Sequence, residues 1–370
     1  MGAGLKPSIV VSGVNLVDMG PLAIFKDALT SLASEYSDTY DIIALVHKTA
    51  LFGIAGIQYI EYPKIKSSWW KRLRFEYFDC RRISERLHPY LWLAMHDMTP
   101  SVSANLRVVY CHNPAPFYSL RIEELWLDPI FSLHALFYRF LYGINIKANS
   151  FVVVQQDWMR SEFRLGYGVC DVVVAHPSVE HLASSLARNS IPTSNTPYIF
   201  FYPAYPRSFK NMEQILNAAR RLESEGSNQF EIWLTLDGTE NRYAAKTRRQ
   251  YSDLTTVRWL GLLPREEVMR RYTKADCLIF PSRLETWGMP ITEFKITGKL
   301  ILAANLPYAH ETVGNYGQAG FFDLGDDLQL SKMMKQAVDS SPAFGPVTSQ
   351  EIAQPFSQNW QELWQILLQK

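Results

Sequence analysis

The sequence has few cysteines, and they are far apart. Cys80, Cys111, Cys170 and Cys277 are the four in 370 residues, and they form neither a C-x-x-C pair nor a cluster with histidines. Neither a zinc site nor a disulfide framework is therefore predicted, and reduced thiols are expected. No acidic D-x-D pair follows a predicted strand where a nucleotide-bound metal ion would lie. We therefore predict no essential metal.

The sequence also lacks an excess of charge and a long apolar run. With 37 basic and 36 acidic residues, the net charge is +1, so no nucleic-acid partner is expected. No run approaches the ~18 apolar residues of a transmembrane helix. The N-terminus does not show the basic-then-apolar layout of a signal peptide. These absences predict a cytoplasmic protein, which could still sit at the inner face of the cytoplasmic membrane.

What the sequence does contain is the pattern of a two-domain α/β protein. The length of 370 residues suits two domains, and 47% hydrophobic residues suit a sizeable core. Short β-branched or aromatic runs alternate with amphipathic stretches, which predicts βα units and mainly parallel sheets. The predicted strands are Ile9–Ser12, Asp41–Val46, Val108–Cys111, Phe151–Val154, Val172–Ala175, Tyr198–Tyr202, Phe230–Leu236, Val257–Leu260, Asp276–Phe280 and Leu300–Ala303.

A polar stretch rich in Ser, Asn, Thr and Pro interrupts this alternation, and Asn189–Pro197 is predicted to be an interdomain linker. The predicted domains are residues 1–188 and residues 198–345. Residues 346–370 carry apolar side chains at helical spacing and are predicted to pack back across both domains as a terminal helix.

The most informative segment runs from Asp276 to Glu293. It reads as an apolar strand, a loop with Glu285, then Gly288 and Met289 before a helix whose first turn carries Pro290. The unpaired amides of the helix start would point beyond the carboxyl end of the strand, where α/β sheets bind ligands and where a diphosphate is favoured. Glu285 could reach sugar hydroxyls, and Glu293 ribose hydroxyls.

At these residues the sequence resembles the family-4 retaining glycosyltransferases of the GT-B fold, whose signature is two glutamates separated by seven residues. Glu285 and Glu293 have that spacing, and the segment from Glu285 to Pro290, with Trp287 at the donor side, matches the strand-loop-helix of the family. The resemblance implies two Rossmann-like domains with parallel sheets facing a central cleft, of which residues 1–188 would bind the acceptor and residues 198–345 the nucleotide sugar. It also implies a nucleotide-diphosphate sugar as donor substrate, no separate cofactor and metal-independent transfer with retention.

The resemblance assigns further site residues outside this segment. The family holds the donor diphosphate with an Arg and a Lys, for which Lys210 matches and Arg207 is offered from a shifted loop. Gly20 represents the glycine-rich loop after the first strand, where it lets the backbone approach a ligand. His112, at the carboxyl end of a buried strand, is implied to contact the sugar, although a structural histidine is the alternative.

Bases and aromatics alternate from Lys64 to Arg82, a pattern that fits either a membrane interface or an ordinary surface helix. The resemblance implies a retaining hexosyltransferase-type enzyme acting on a saccharide acceptor. The resemblance favours a polyprenyl-diphosphate-linked acceptor in lipopolysaccharide O-antigen, capsule or exopolysaccharide synthesis. A non-catalytic nucleotide-sugar-binding scaffold and a nucleotide-sugar epimerase on the same fold remain as alternatives.

Overall fold

The structure is a computed structural model that describes residues 6–17, 19–177, 197–339, 344 and 351–369. These residues fall into two compact units. Unit 1 takes in the described residues of Met1–Phe117, Ala135–Ser178 and Ile352–Lys370, and unit 2 those of Tyr118–His134 and Val179–Glu351. The predicted linker, except Pro197, lies outside the described residues, as do the predicted domain ends at 188, 345 and 346. Those boundaries stay predictions.

Strands and helices alternate along the chain. The strands are β1 (Ser8–Ser12), β2 (Asp41–Val46), β3 (Ile57–Glu61), β4 (Leu91–Ala94), β5 (Leu106–Cys111), β6 (Phe151–Val154), β7 (Val172–Ala175), β8 (Tyr198–Tyr202), β9 (Phe230–Leu234), β10 (Val257–Trp259), β11 (Cys277–Phe280), β12 (Leu300–Ala304), β13 (Ala319–Phe322) and β14 (Phe356–Ser357). The helices are α1 (Met19–Tyr36), α2 (Trp69–Arg74), α3 (Cys80–Leu87), α4 (Glu124–Leu127), α5 (Pro129–Gly143), α6 (Asp157–Tyr167), α7 (Met212–Ser224), α8 (Arg242–Gln250), α9 (Arg265–Lys274), α10 (Met289–Lys295), α11 (Pro307–Val313), α12 (Asp327–Asp339) and α13 (Trp360–Leu368).

Each unit is built on one parallel sheet. In the described part of unit 1 the strand order is β14-β7-β6-β5-β4-β1-β2-β3, and every pairing is parallel. In unit 2 the order is β10-β9-β8-β11-β12-β13, again parallel throughout. Most of the strands are buried on both faces, which is why those strands read as continuous apolar runs in the sequence. The prediction of two parallel-sheet α/β domains is confirmed.

Both sheets reverse their strand order once. In unit 1 the reversal lies between β1 and β4, and in unit 2 between β8 and β11. Ligands of open α/β sheets bind outside the carboxyl ends of the strands at such a switch point. The loops after β1, β4, β8 and β11 are therefore the places to look for a site.

Three strands of unit 1, β3, β4 and the two-residue β14, were not predicted from the sequence. In β3, at the edge of the sheet, every residue is partly or fully exposed, so it lacks a continuous apolar run. All four residues of β4 are buried, but its sequence, Leu-Trp-Leu-Ala, contains no β-branched residue. β4 pairs with β1 and β14 pairs with β7, both distant in the chain, and such pairing is not visible in a local pattern. β3 pairs with the preceding strand β2.

The C-terminal helix α13 packs on unit 1. Trp364 is fully buried and its Nε1 donates a hydrogen bond to the carbonyl of Ala28 in α1, at 3.3 Å. Upstream of the helix, the buried Arg160 in α6 donates to the carbonyls of Ala353 (2.7 Å) and Pro355 (3.2 Å). These contacts fix the chain end to unit 1. Packing across both domains stays a prediction.

None of the helices in the described ranges combines the length and the apolar character that crossing a bilayer requires.

Candidate functional site

The switch point of unit 2 brings together a lysine and a glutamate that lie far apart in the sequence. The loop after β8 ends in a tight 3-10 turn, Ser208–Lys210, and the loop after β11 carries Glu285. The amide of Arg283 donates to the carbonyl of Phe209 at 2.7 Å and thereby ties the two loops together. Lys210 Nζ lies 2.5 Å from Glu285 Oε1, and the two side chains are 18% and 15% exposed. A charged pair therefore stands at the carboxyl edge of the sheet, within reach of a ligand.

Neutral tyrosine hydroxyls surround this pair. Tyr202 donates a hydrogen bond to the carbonyl of Lys210 at 3.1 Å, and Tyr308 donates to the carbonyl of Ser282 at 2.6 Å. Burial, and after it the negative charge of Glu285, raises the pKa of both tyrosines well above the usual value. The hydroxyls therefore stay protonated and hold the two loops in place by donating to their carbonyls.

Helix α10 begins directly after the Glu285 loop. Gly288, which precedes it, has φ +84°, and a Cβ there would lie 3.4 Å from both Ile291 and Phe280, so a glycine suits this position. Met289 is the first helical residue and is partly exposed. The amides of the first turn are thus at the carboxyl edge of the sheet, where the sequence analysis expects them.

Trp287, by contrast, is buried, and its polar groups bind the protein. Its Nε1 donates to Thr292 Oγ1 at 2.8 Å, and its carbonyl accepts a hydrogen bond from Thr312. The indole is only 8% exposed. In the structure Trp287 therefore fastens the loop to helices α10 and α11, and its predicted contact with the donor stays a prediction.

Glu293 lies one turn further along α10 and already has two protein partners. Its Oε2 accepts a hydrogen bond from Tyr272 at 2.9 Å, and its Oε1 lies 2.8 Å from Arg265 Nη2. The glutamate side chain is 4% exposed, whereas that of Arg265 is 61% exposed. Arg265 thus covers a carboxylate that is itself buried, and the predicted ribose contact of Glu293 stays a prediction.

Arg207 is paired with a carboxylate that the sequence analysis did not identify. Its Nη1 lies 2.8 Å and 3.0 Å from the two oxygens of Asp128, in the Tyr118–His134 part of unit 2. The Arg207 side chain is 35% exposed and that of Asp128 is 8% exposed. Nearby, Phe131 packs on Phe209 with ring centroids 4.7 Å apart. The arginine is close to Lys210 in the chain, but a diphosphate would have to share it with Asp128.

Arg283 is a second residue that was not predicted. Its Nη2 donates to Asn211 Oδ1 at 2.5 Å, its Nη1 donates to the carbonyl of Ser208 at 3.4 Å, and Nη1 also lies 3.9 Å from Glu124 Oε1. These contacts hold the 3-10 turn that carries Lys210. The only sequence signal was its place between Ser282 and Glu285 in the loop after β11.

In unit 1, His112 lies at the carboxyl end of β5, and an aspartate not predicted from sequence organises its surroundings. Asp97 Oδ1 accepts hydrogen bonds from the amides of His112 (2.6 Å) and Asn113 (3.0 Å) and from the hydroxyl of Tyr142 (3.0 Å). Asp97 Oδ2 lies 3.6 Å from His112 Nε2, and the imidazole is 20% exposed. His112 is therefore positioned by Asp97 and remains reachable.

In the predicted glycine loop after β1, the closely packed glycine is Gly13 and not Gly20. A Cβ at Gly20, in the first turn of α1, would meet nothing within 4 Å. A Cβ at Gly13 would lie 2.3 Å from the buried ring of Phe25. Close packing therefore requires glycine at position 13, and the predicted ligand role of Gly20 stays a prediction.

A buried serine, histidine and glutamate lie together beside the same loop. His96 Nε2 is 3.3 Å from Ser12 Oγ and 3.4 Å from Glu76 Oε1. Burial raises the pKa of Glu76 to about 8 and lowers the pKa of His96 well below its usual value, so both are neutral near pH 7. The residue types match a nucleophilic triad. Ser12 and Glu76 are completely buried and His96 is 2% exposed, so a substrate does not reach them.

No group of three or more His, Cys, Asp or Glu side chains that could hold a metal ion occurs in the part of the chain that the structure describes. The predicted metal independence stays a prediction.

Comparisons with known proteins agree with this architecture. Residues 184–344 match the family model described as Glycosyl transferases group 1. No curated protein matches the chain. Among solved structures, the sucrose-phosphate synthase from Thermosynechococcus elongatus has a TM-score of 0.64 at 13% identity, covering 91% of this chain and 90% of that one. The lipopolysaccharide outer core galactosyltransferase WaaB in its apo form has a TM-score of 0.59 at 12% identity, covering 90% of each chain.

A third similar structure is Anabaena HepE in complex with UDP and glucose, with a TM-score of 0.57 at 13% identity and coverage of 98% of this chain and 95% of that one. At such identities the likeness concerns the fold, and it confirms the predicted GT-B class of two Rossmann-like domains. The sequence match is confined to residues 184–344, and it shows that this part of the chain is similar to the group 1 glycosyl transferases. The comparisons therefore show a GT-B fold for the chain and a similarity to group 1 glycosyl transferases in residues 184–344.

Proposed function

We propose that this chain is a retaining glycosyltransferase that moves a sugar from a nucleotide-diphosphate donor to a hydroxyl of a saccharide acceptor. The observation that carries the proposal is the Lys210–Glu285 pair, 2.5 Å apart at the switch point of unit 2. It lies within the residues that match the group 1 family model. A cation and a carboxylate side by side suit a ligand that carries both phosphate and hydroxyl groups.

In the proposed complex the donor diphosphate binds Lys210 and the amides around Gly288 and Met289. The positive end of the helix and the lysine both favour an anion there. Glu293 accepts hydrogen bonds from the ribose hydroxyls, taking the place of Arg265. Glu285 binds the hydroxyls of the transferred sugar and keeps Lys210 in position. HepE, a structural neighbour, was solved with UDP and glucose, which supports a nucleotide sugar as the donor class.

The proposed reaction needs no metal ion and no cofactor besides the donor substrate. As the bond between the sugar carbon and the phosphate oxygen breaks, negative charge builds on the diphosphate, and Lys210 stabilises it. The acceptor hydroxyl attacks the same face of the sugar and gives its proton to the leaving phosphate oxygen. The configuration of the sugar carbon is then retained. His112, held by Asp97, is proposed to contact the sugar.

We also propose a lipid-linked saccharide as acceptor, in the synthesis of lipopolysaccharide O-antigen, capsule or exopolysaccharide at the inner face of the cytoplasmic membrane. The support is analogy, since WaaB, with a similar fold, is a lipopolysaccharide outer core galactosyltransferase. A polyprenyl-diphosphate carrier would present such an acceptor.

The proposal is tested by thermal-shift binding and by mass spectrometry of products, with a panel of nucleotide-diphosphate sugars and with EDTA present. We expect one donor to raise the melting temperature selectively. Lys210→Met should lose this shift and lower turnover by about 10²–10³-fold, the usual effect of removing one charge-stabilising group. The matched control is Lys335→Met, because Lys335 lies in α12 and forms only a long, half-exposed pair with Glu225 at 4.0 Å.

The same experiment separates the alternatives. Donor binding without any transferred or hydrolysed sugar would favour a non-catalytic scaffold. Release of an epimerised nucleotide sugar without an acceptor would favour an epimerase. If no nucleotide sugar shifts the melting temperature of the native chain, the donor site is wrongly assigned.

A further inference from the structure

Unit 1 exposes large apolar side chains that the proposed site does not use. In the portion of α5 that belongs to unit 1, Ala135, Tyr138 and Leu141 point into the core, while Leu136 (59%), Phe137 (39%) and Phe140 (70%) are exposed. In α2, Trp69 is 43% exposed and Trp70 is 81% exposed. An exposed cluster of this kind is uncommon on a soluble monomer and indicates an interaction surface.

The two helices form one continuous surface. The ring of Trp69 meets the ring of Phe137 edge-on, with centroids 5.6 Å apart, and that of Tyr138 at 5.8 Å. The guanidinium of Arg72 lies over Trp69 at 5.3 Å. We call the exposed group Trp69, Trp70, Leu136, Phe137 and Phe140 the aromatic face. It is made by packing between elements that are distant in sequence.

Positive charge borders the aromatic face. The segment from Lys64 to Arg82 contains seven basic and two acidic residues. One of the two acids, Glu76, is completely buried and, because burial raises its pKa to about 8, carries no charge near pH 7. Lys71 and Arg74 in α2 are exposed, and the part of α5 in unit 1 contains no acidic residue. An apolar surface with a basic border is complementary to an anionic lipid bilayer.

We propose that the aromatic face docks this protein on a bilayer containing anionic phospholipid. The tryptophan and phenylalanine rings would lie at the level of the headgroups and upper acyl chains, and Lys71 and Arg74 would meet lipid phosphates. A second copy of the chain is a poorer occupant. A two-fold symmetric contact would place the basic borders of two copies against each other, and like charges repel.

This inference deepens the proposed function, and it rests on that function for its purpose, because a lipid-linked acceptor would lie in the same membrane. The docking itself needs neither donor nor acceptor. Vesicle binding and nucleotide-sugar binding can therefore be measured separately on the same protein.

The test is flotation of the full chain with vesicles of phosphatidylcholine alone and of equal parts phosphatidylcholine and phosphatidylglycerol, at low and at physiological salt. We expect binding to the anionic vesicles and little to the neutral ones. Trp70→Ser combined with Phe140→Ser should lower the binding by at least about tenfold. Lys71→Glu combined with Arg74→Glu should remove the preference for anionic lipid. The matched control is Leu165→Ser, because Leu165, in α6 of unit 1, is 86% exposed and outside the aromatic face.

All variants are checked by circular dichroism and by nucleotide-sugar thermal shift. Equal binding by the native chain and the Trp70→Ser/Phe140→Ser variant would overturn the proposal, and so would absence of binding to anionic vesicles. A native chain that elutes as a dimer, ignores vesicles and becomes monomeric in that variant would assign the face to a second copy instead. Vesicle binding by a chain that binds no nucleotide sugar would leave the docking intact and overturn the proposed function.

Discussion

The Arg207–Asp128 pair gives a sharp prediction about donor binding. Replacing Asp128 by Asn removes the negative charge that faces Arg207. The amide oxygen can still accept the hydrogen bond from the amide of Phe131, which lies 3.3 Å from Asp128 Oδ1. Arg207 then has no competing carboxylate. If the donor diphosphate binds Arg207 as well as Lys210, its affinity should rise.

The size of the effect follows from the geometry of the pair. Two unit charges about 4 Å apart interact by about 4 kcal/mol at the effective dielectric constant of ~20 near a protein surface. Exposed pairs contribute only ~0.2–1 kcal/mol in practice. Arg207 is 35% exposed and Asp128 8% exposed, so the value lies between these limits. A gain in donor binding of ~1.4 kcal/mol lies between these limits, and it would lower the Kd for the donor about tenfold.

The assay is isothermal titration calorimetry with the nucleotide sugar that stabilises the native chain most. Asp253→Asn is the control, because its pair with Arg220, at 2.8 Å, is exposed on both sides and should leave the Kd unchanged. Adding Arg207→Met to Asp128→Asn should cancel the gain. A Kd that is unchanged or weaker in a well-folded Asp128→Asn variant would refute a role for Arg207 in holding the diphosphate.

Three further predictions concern other parts of the molecule. Glu293→Ala should lower donor affinity by about tenfold through the lost ribose contact, as seen by thermal shift, and an unchanged shift would contradict the assignment. The pKa of Glu76 is about 8 in the folded chain and exceeds its unfolded value, so the free energy of unfolding should fall as pH rises from the unfolded pKa towards 8. Below pH ~6.5 the buried, neutral His96 acts in the opposite direction, because there the unfolded chain binds the proton that the folded chain does not. The loss of melting temperature between pH ~6.5 and 8 should therefore shrink in Glu76→Gln, and an equal loss in both proteins would refute the buried-acid argument. Gly13→Ala should cost about 1–3 kcal/mol in urea unfolding because of the clash at that position, whereas Gly20→Ala should be neutral.

The local order of apolar and helix-starting residues was enough to predict the elements that carry the candidate site. The segment from Asp276 to Glu293 forms the predicted strand, loop and helix, and parallel pairing of β8 and β11 brings Lys210 next to Glu285. Parallel strands place their carboxyl ends at one edge, so residues that follow different strands meet there. That rule makes such a pairing accessible from sequence.

The residues that were missed depend on long-range contacts. Asp128 and Asp97 lie in loops without a recognisable motif. Their roles depend on contacts with Arg207, 79 residues away, and with the amide of His112, 15 residues away. In the sequence, Glu76 looks like one charge among many in a basic segment. It lies in a π-helical turn, Phe75–Asp79, and the sequence does not show which side of that turn faces the core. A charge pattern predicts exposure on average and fails where tertiary packing selects one residue for burial.

The division of unit 2 into Tyr118–His134 and the described residues after 196 has a consequence for how the protein can be made and cut. A fragment that starts at the predicted linker would lack Asp128 and the aromatic ring that packs on Phe209. A fragment that stops at the linker would lack strand β14 and helix α13 of unit 1. The sheet of unit 1 is therefore completed by a strand, β14, that follows unit 2 in the chain. Neither fragment therefore contains all segments of its unit, and either fragment expressed alone should aggregate where the full chain folds.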